Sequence, residues 1–173
     1  MILDILNYKN PILRKKSEKI KEITPEIRRL ALDMVETMIK NKGLGLAAPQ
    51  VNQLKQIIAV SLIKNRSSDE RVVLEPKILI NPRIVEKSRE AEIEEEGCLC
   101  APGVFLKIKR ASAVEISALD INGREVKIKA EGLPARILQH EIDHLNGILF
   151  FDKIYFWQKL KYFLNFRKQK FLR

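Results

Sequence analysis

The sequence predicts an α+β fold: short, largely antiparallel β-sheets packed around a central helix that carries the candidate metal ligands, with a further helix at the C-terminus. Three observations predict it. Apolar residues recur at helical spacing in two separated stretches, and the chain between them breaks into short β-branched runs. One pair of those runs is joined through Asn-Gly, a strong hairpin signal.

Thr24, Pro25 and Glu26 read as an N-cap with proline at the first helical position. Ile27, Leu30, Ala31, Met34, Val35 and Met38 then follow on one face. This helix should stop near Asn41 to Gly43, where Asn or Gly can take the left-handed cap. Runs at Ile57 to Ile63, Val72 to Ile80, Ala113 to Leu119 and Val126 to Ile128 read as strands. Asp120-Ile121-Asn122-Gly123 turns the chain between the last two, so the sheet is at least partly antiparallel. The polar stretch Lys64 to Arg71 reads as a surface loop. A second helix is expected from about Leu133 to Leu145, stopped by Asn146-Gly147, with Leu138, Ile142, Leu145 and Leu149 on one stripe. From about Phe156 a third helical stretch mixes Trp157, Leu160, Phe163 and Leu164 with many Lys and Arg.

A chain of 173 residues that is 46% hydrophobic can bury a sizeable core, so one domain spanning 1–173 is expected. With 7 Gly and 7 Pro and no internal repeat, collagen-like and low-complexity chains are excluded. The only cysteines, Cys98 and Cys100, are too close in sequence for a bridge between them to staple a fold, which fits a reducing compartment. Met1 to Tyr8 show no secretion leader, and no run of about 18 apolar residues could span a bilayer. A cytoplasmic location without membrane association is therefore expected. The formal net charge of +10 favours acidic partners such as nucleic acid, ribosomes or anionic membrane surfaces.

The two histidines stand as His140-Glu141-Ile142-Asp143-His144. Four residues apart on a helix, both imidazoles can reach one ion. Two ordinary surface histidines would be the bland reading, and it leaves Glu141 without a role. A catalytic site normally takes three protein ligands and an open position, a structural site four. The segment Glu96-Gly97-Cys98-Leu99-Cys100 offers thiolate for what is missing. Two arrangements stay open: an open site with one cysteine, or a closed zinc site of Cys98, Cys100, His140 and His144, since residues two apart on a strand share a face. His-Glu-x-x-His also marks zinc endopeptidases, whose third ligand is usually a downstream His or Glu. Finally, Gly43-Leu44-Gly45-Leu46-Ala47-Ala48-Pro49-Gln50 permits close backbone approach, through which a substrate amide could bind as an added strand.

Together, Gly43 to Gln50, Glu96 to Cys100 and Gln139 to Leu145 resemble, in order and spacing, the three motifs of the peptide deformylases. Asn10-Pro11-Ile12-Leu13-Arg14, Pro102-Gly103, Arg110, the Asp120 to Gly123 turn and Gly147-Ile148-Leu149-Phe150 extend the likeness over most of the chain. The resemblance implies that Cys98, His140 and His144 bind one divalent metal, Fe2+ natively with Zn2+ or Ni2+ able to substitute. It implies that metal-bound water is the nucleophile and Glu141 the general acid/base. The Gln50 amide and the Leu99 backbone N–H would stabilise the oxyanion, and Gly45 would hold the substrate through its backbone. Leu44, Leu133 and Ile137 are expected to line a methionine pocket. The implied reaction removes the formyl group from the N-terminal formylmethionine of nascent peptides and releases formate.

Two positions depart from the family pattern. Position 100 is Cys where Ser is usual, which keeps the closed four-ligand site in play as a non-catalytic, zinc-stapled RNA- or ribosome-binding module. Phe105 stands where some members carry Arg near the mouth of the site. From Lys153 to Arg173 there are seven basic residues and no acidic one, so a basic C-terminal helix at about 153–173 could dock on ribosomal RNA. The alternative is a solvated basic helix whose Trp157, Leu160 and Leu164 pack on the domain.

Overall fold

The computed structural model describes residues 1–64 and 73–154. Beyond their first residues, the expected loop at 64–71 and the basic helix at about 153–173 lie outside the described residues. The chain forms helix α1 (Pro25–Lys40), strands β1 (Gly45–Ala47), β2 (Ile57–Lys64), β3 (Val73–Lys87), β4 (Ala91–Cys98), β5 (Ala101–Ala111), β6 (Ala113–Leu119) and β7 (Glu125–Glu131), then helix α2 (Leu133–Leu145). Five strands make one antiparallel sheet in the order β1-β2-β3-β6-β7, while β4 and β5 pair as a separate antiparallel ribbon. The fold is thus α+β with antiparallel sheets, as expected.

The sheet is buried on both sides, which explains the unbroken apolar run of β2. Ile58 and Val60 point to one side, into a core shared with Leu79, Val114, Ile116 and the α2 residues Ala135, Leu138, Ile142 and Leu145. Ile57 and Ala59 point to the other, against Ile27, Ala31, Met34 and Met38 of α1. The two-residue period of a strand thereby holds both helices on one sheet.

Thr24 caps α1, its side chain accepting from the Ile27 N–H. The helix ends as expected, although Lys42, not Asn41 or Gly43, takes the positive φ, at 54°. β3 continues past Ile80, the end of the expected run, to Lys87. Asn81 sits at φ 51° and its amide exchanges two hydrogen bonds with the Ile20 backbone, so the strand bulges and carries on. α2 ends at Asn146 and Gly147, with Gly147 at φ 72° and the Ile148 N–H closing back on the Asp143 carbonyl.

Candidate active site

α2 presents His140 and His144 on one face, with ring centroids 4.9 Å apart. Their Nε2 atoms are separated by 3.2 Å, and the Cys98 Sγ lies 3.3 Å from His144 Nε2. All three donor atoms fall within 4.8 Å of one another, the one such group among the described residues. Metal–nitrogen bonds of roughly 2.0–2.1 Å at tetrahedral angles set two ligating nitrogens about 3.3 Å apart, so these donors fit a small divalent ion. Cys100 is not part of the group. Its Sγ touches Cys98 Sγ at 3.0 Å, but its side chain packs beneath Leu13 and Leu149.

Cys98 reaches this position from the end of β4, where the turn Leu99-Cys100 reverses the chain into β5. The same ribbon delivers a buried ionic layer behind the histidines. Glu96 accepts from His140 Nδ1 at 3.0 Å, from Arg110 Nε and Nη2 at 2.8 and 3.0 Å, and from Arg136 Nη1 at 2.7 Å. Arg110 also pairs with Asp143, and Arg136 donates to the carbonyls of Ile108 and Glu92. Gln139 ties α2 to β5 through both Ala111 backbone groups. Burial opposes the charge on Glu96, yet the His140 and Arg110 hydrogen bonds outweigh it and pull its pKa to about 2. Burial likewise opposes charge on His140, while Glu96 and Glu141 raise its pKa. His144, with no such partner, is driven down by burial and by the neighbouring His140.

Glu141 points from α2 towards β1. Its Oε2 is buried with no hydrogen-bond partner among the described residues, and burial pushes its pKa up to about 7. An orphaned carboxylate is costly to keep, and its place is beside the three donors. Gly45 lies directly against it: a Cβ built there would meet the Glu141 side chain. Gln50 follows β1 in a short turn, and its Oε1 accepts from the Ala47 N–H at 2.7 Å. That bond fixes the amide so that Nε2 faces Cys98 Sγ, 3.4 Å away.

These groups surround an open cavity of about 520 Å³. Leu44, Gly45, Gln50, Cys98, Leu99, Leu133, Ile137, His140 and Glu141 all line it, so the structure gathers every predicted site residue except His144, which is buried just behind. The exposed Phe105 stands at the rim with its ring against Gly97. β1 is the edge of its sheet, and its first residue, Gly45, lines the cavity, where an extended peptide could add to the sheet.

The family model described as polypeptide deformylase matches residues 2–159. The chain belongs to the peptide deformylase family. Among curated deformylases, that of Thermodesulfovibrio yellowstonii is 46% identical over 153 residues, covering 88% of this chain and 89% of its own. The crystal structure of the peptide deformylase from Ehrlichia chaffeensis superposes with a TM-score of 0.86 at 37% identity, covering 98% of this chain and 97% of its own. The class I type b deformylase from Acinetobacter baumannii, solved with Met-Ala-Ser bound, gives a TM-score of 0.80 at 35% identity, covering 89% and 99%. The chain is accordingly a hydrolase of the deformylase type. No helix among the described residues is long and apolar enough to cross a membrane.

What the sequence left without a role is the layer behind the deformylase motifs. Glu96 and Arg110 stand in or near the motifs, but nothing in the pattern says that they meet, because Arg110 lies fourteen positions on and reaches Glu96 only through the β4–β5 pairing. Gln139 opens the third motif with no role assigned to it, and Arg136 carries no pattern of its own. The available signal was their place on the α2 turns adjoining His140.

Proposed function

We propose that this chain is a metal-dependent peptide deformylase that hydrolyses the formyl group from the N-terminal formylmethionine of newly made polypeptides and releases formate. One observation carries the reading: a cysteine sulfur and two imidazole donors converge beside Glu141, whose Oε2 has no hydrogen-bond partner among the described residues, at the edge of an open cavity. Cys98, His140 and His144 hold the divalent cation, natively Fe2+, with Zn2+ or Ni2+ able to replace it. When bound there, the cation supplies Lewis acidity, lowering the pKa of water and polarising a carbonyl. Three ligands leave a position open for substrate, and the place of Cys100 outside the donor group supports this over a closed four-ligand site.

The remaining chemistry falls to the chain itself. Glu141 takes the proton of the attacking water and later passes it to the leaving amine. Gln50 Nε2, aimed by the Ala47 N–H, and the Leu99 backbone N–H donate to the oxyanion of the tetrahedral intermediate. The β1 edge at Gly45 pairs with the peptide backbone, and Leu44, Leu133 and Ile137 receive the methionine side chain. Binding of Met-Ala-Ser by the Acinetobacter relative supports a peptide that begins with methionine. We read residues 1–173 as one domain acting in the cytoplasm. The charge of the segment at about 153–173 supports docking on ribosomal RNA, which salt-dependent cosedimentation would read.

The deciding experiment measures formate release from a short formyl-Met peptide by protein purified without oxygen and loaded with Fe2+. Wild type should turn over. Glu141→Ala should be slower by a factor on the order of 10² to 10⁴ while staying folded and metal-loaded. Folded, metal-loaded wild type that releases no formate would overturn the proposal.

A further inference from the structure

We propose that Cys98 and Cys100 form a redox modification site: with no metal on Cys98, peroxide closes the two thiols to a disulfide, which withdraws the thiolate ligand until a dithiol restores it. The loss of metal binding rests on the assignment of Cys98 as a ligand made above; the disulfide itself does not.

Residues two apart on a regular strand share a face but are separated by roughly 6–7 Å along it, at the upper end of what a disulfide spans. Here the β4–β5 register slips between Gly97 and Cys98 and the chain turns at Leu99-Cys100. The two sulfurs lie 3.0 Å apart. A disulfide needs about 2.05 Å, so closure asks for roughly 1 Å of movement from two side chains that already touch.

Access divides the roles. Cys98 is partly exposed and lines the cavity, whereas Cys100 is 1% exposed and sealed under Leu13 and Leu149. A small oxidant entering the cavity therefore meets Cys98 first. The Cys98 thiol sulfur attacks hydrogen peroxide, the O–O bond breaks, and the thiol proton leaves with the departing oxygen as one water, so that Cys98 becomes a sulfenic acid. The Cys100 sulfur then attacks Cys98 Sγ, the S–O bond breaks, and a second water leaves. Two thiols and one peroxide become one disulfide and two waters. The chain has 2 cysteines, so Cys98 has no other intramolecular resolving partner. A serine at position 100 could not do this and would leave Cys98 open to irreversible sulfinic oxidation.

The test uses the full chain, stripped of metal by a chelator and exposed to hydrogen peroxide. Intact mass should fall by two hydrogens, titratable thiol should vanish, and zinc uptake should drop at least tenfold, with dithiothreitol reversing all three. Metal-loaded protein should resist. Cys100→Ser, which keeps the fold, should gain oxygen at Cys98 with no reversal by dithiothreitol once the sulfinic acid has formed. Added oxygen, or disulfide-linked dimers, in the wild type would overturn the pairing and leave the deformylase reading intact. A disulfide formed with zinc uptake unchanged would instead overturn the withdrawal of the ligand, and with it the role of Cys98 under Proposed function.

Discussion

Gly45 of β1 and Glu141 of α2 are packed with no room for a methyl group between them: a Cβ at position 45 would overlap the carboxylate and stand 2.6 Å from its Cδ. The φ of Gly45 is not positive, so space and not backbone strain demands the glycine. Gly45→Ala should fold with normal metal content, because neither the sheet nor the donors need that position bare. It should push Glu141 aside and lower kcat on the order of 10²-fold. Formate release beside a metal assay checks this, and an unchanged kcat would show that Glu141 can move without loss.

Gly147 is demanding for a different reason. It sits at φ 72° just past α2, and a Cβ there would lie 2.7 Å from the Arg14 carbonyl carbon, where the N-terminal segment crosses the helix end. Gly147→Ala meets both the left-handed penalty and rigid backbone. Thermal unfolding should reveal a loss of roughly 2–4 kcal/mol, since the Ser17 N–H to Leu145 carbonyl contact beside it must also shift.

Both helices and the Asn122-Gly123 turn were legible because their signals are local: a Thr-Pro cap, a Gly at each stop and an unbroken apolar stripe. The ribbon of β4 and β5 was not. Its run Glu92-Ile93-Glu94-Glu95-Glu96 has poor strand propensity, and one of its acids is buried while its neighbours are solvated, a distinction set by cross-strand partners. The site was legible for the converse reason. His140, Glu141 and His144 are fixed by helical spacing alone, and the family motifs add Cys98, Gln50 and Gly45; the fold brings all of these but His144, which is buried just behind, to one cavity. The spacing of Cys98 and Cys100 put both on one face, but which of them joins the histidines depends on the turn at Leu99-Cys100, which no spacing rule announces.

Two leucines on different faces of α2 should behave oppositely. Leu138 is fully buried between α2 and the sheet, and Leu138→Ala should cost about 2–5 kcal/mol in a urea melt. Leu133 is 53% exposed and lines the cavity, so Leu133→Ala should change stability by less than about 0.5 kcal/mol. Its effect should fall on kcat/KM for formyl-Met peptides, about tenfold and carried by KM. An equal KM in both proteins would remove Leu133 from the methionine pocket.

His144→Ala removes one of three converging donors and should abolish tight metal binding. The metal-free variant should match chelator-treated wild type in having no formate release, and neither zinc nor iron should rescue it, whereas either should rescue the treated wild type. Metal retained by His144→Ala would mean that Cys100 can enter the ligand set, the arrangement that the present position of its sulfur argues against.

Glu96 couples the stability of the fold to the site, because one carboxylate faces Arg110, Arg136 and His140 at once. Glu96→Gln keeps the shape and removes the charge, leaving two buried guanidinium groups short of a counter-ion. Breaking a buried ion network in this way should cost about 3–5 kcal/mol. The same change weakens the acceptor that orients the His140 ring, and zinc affinity should fall about 10- to 100-fold. Urea unfolding reads the first effect and competition against a chelator the second, at a denaturant-free pH where the variant is folded. Lost stability with unaltered affinity would make Glu96 a support of the ribbon only. Loss of both ties the acid run of β4 to the function of α2.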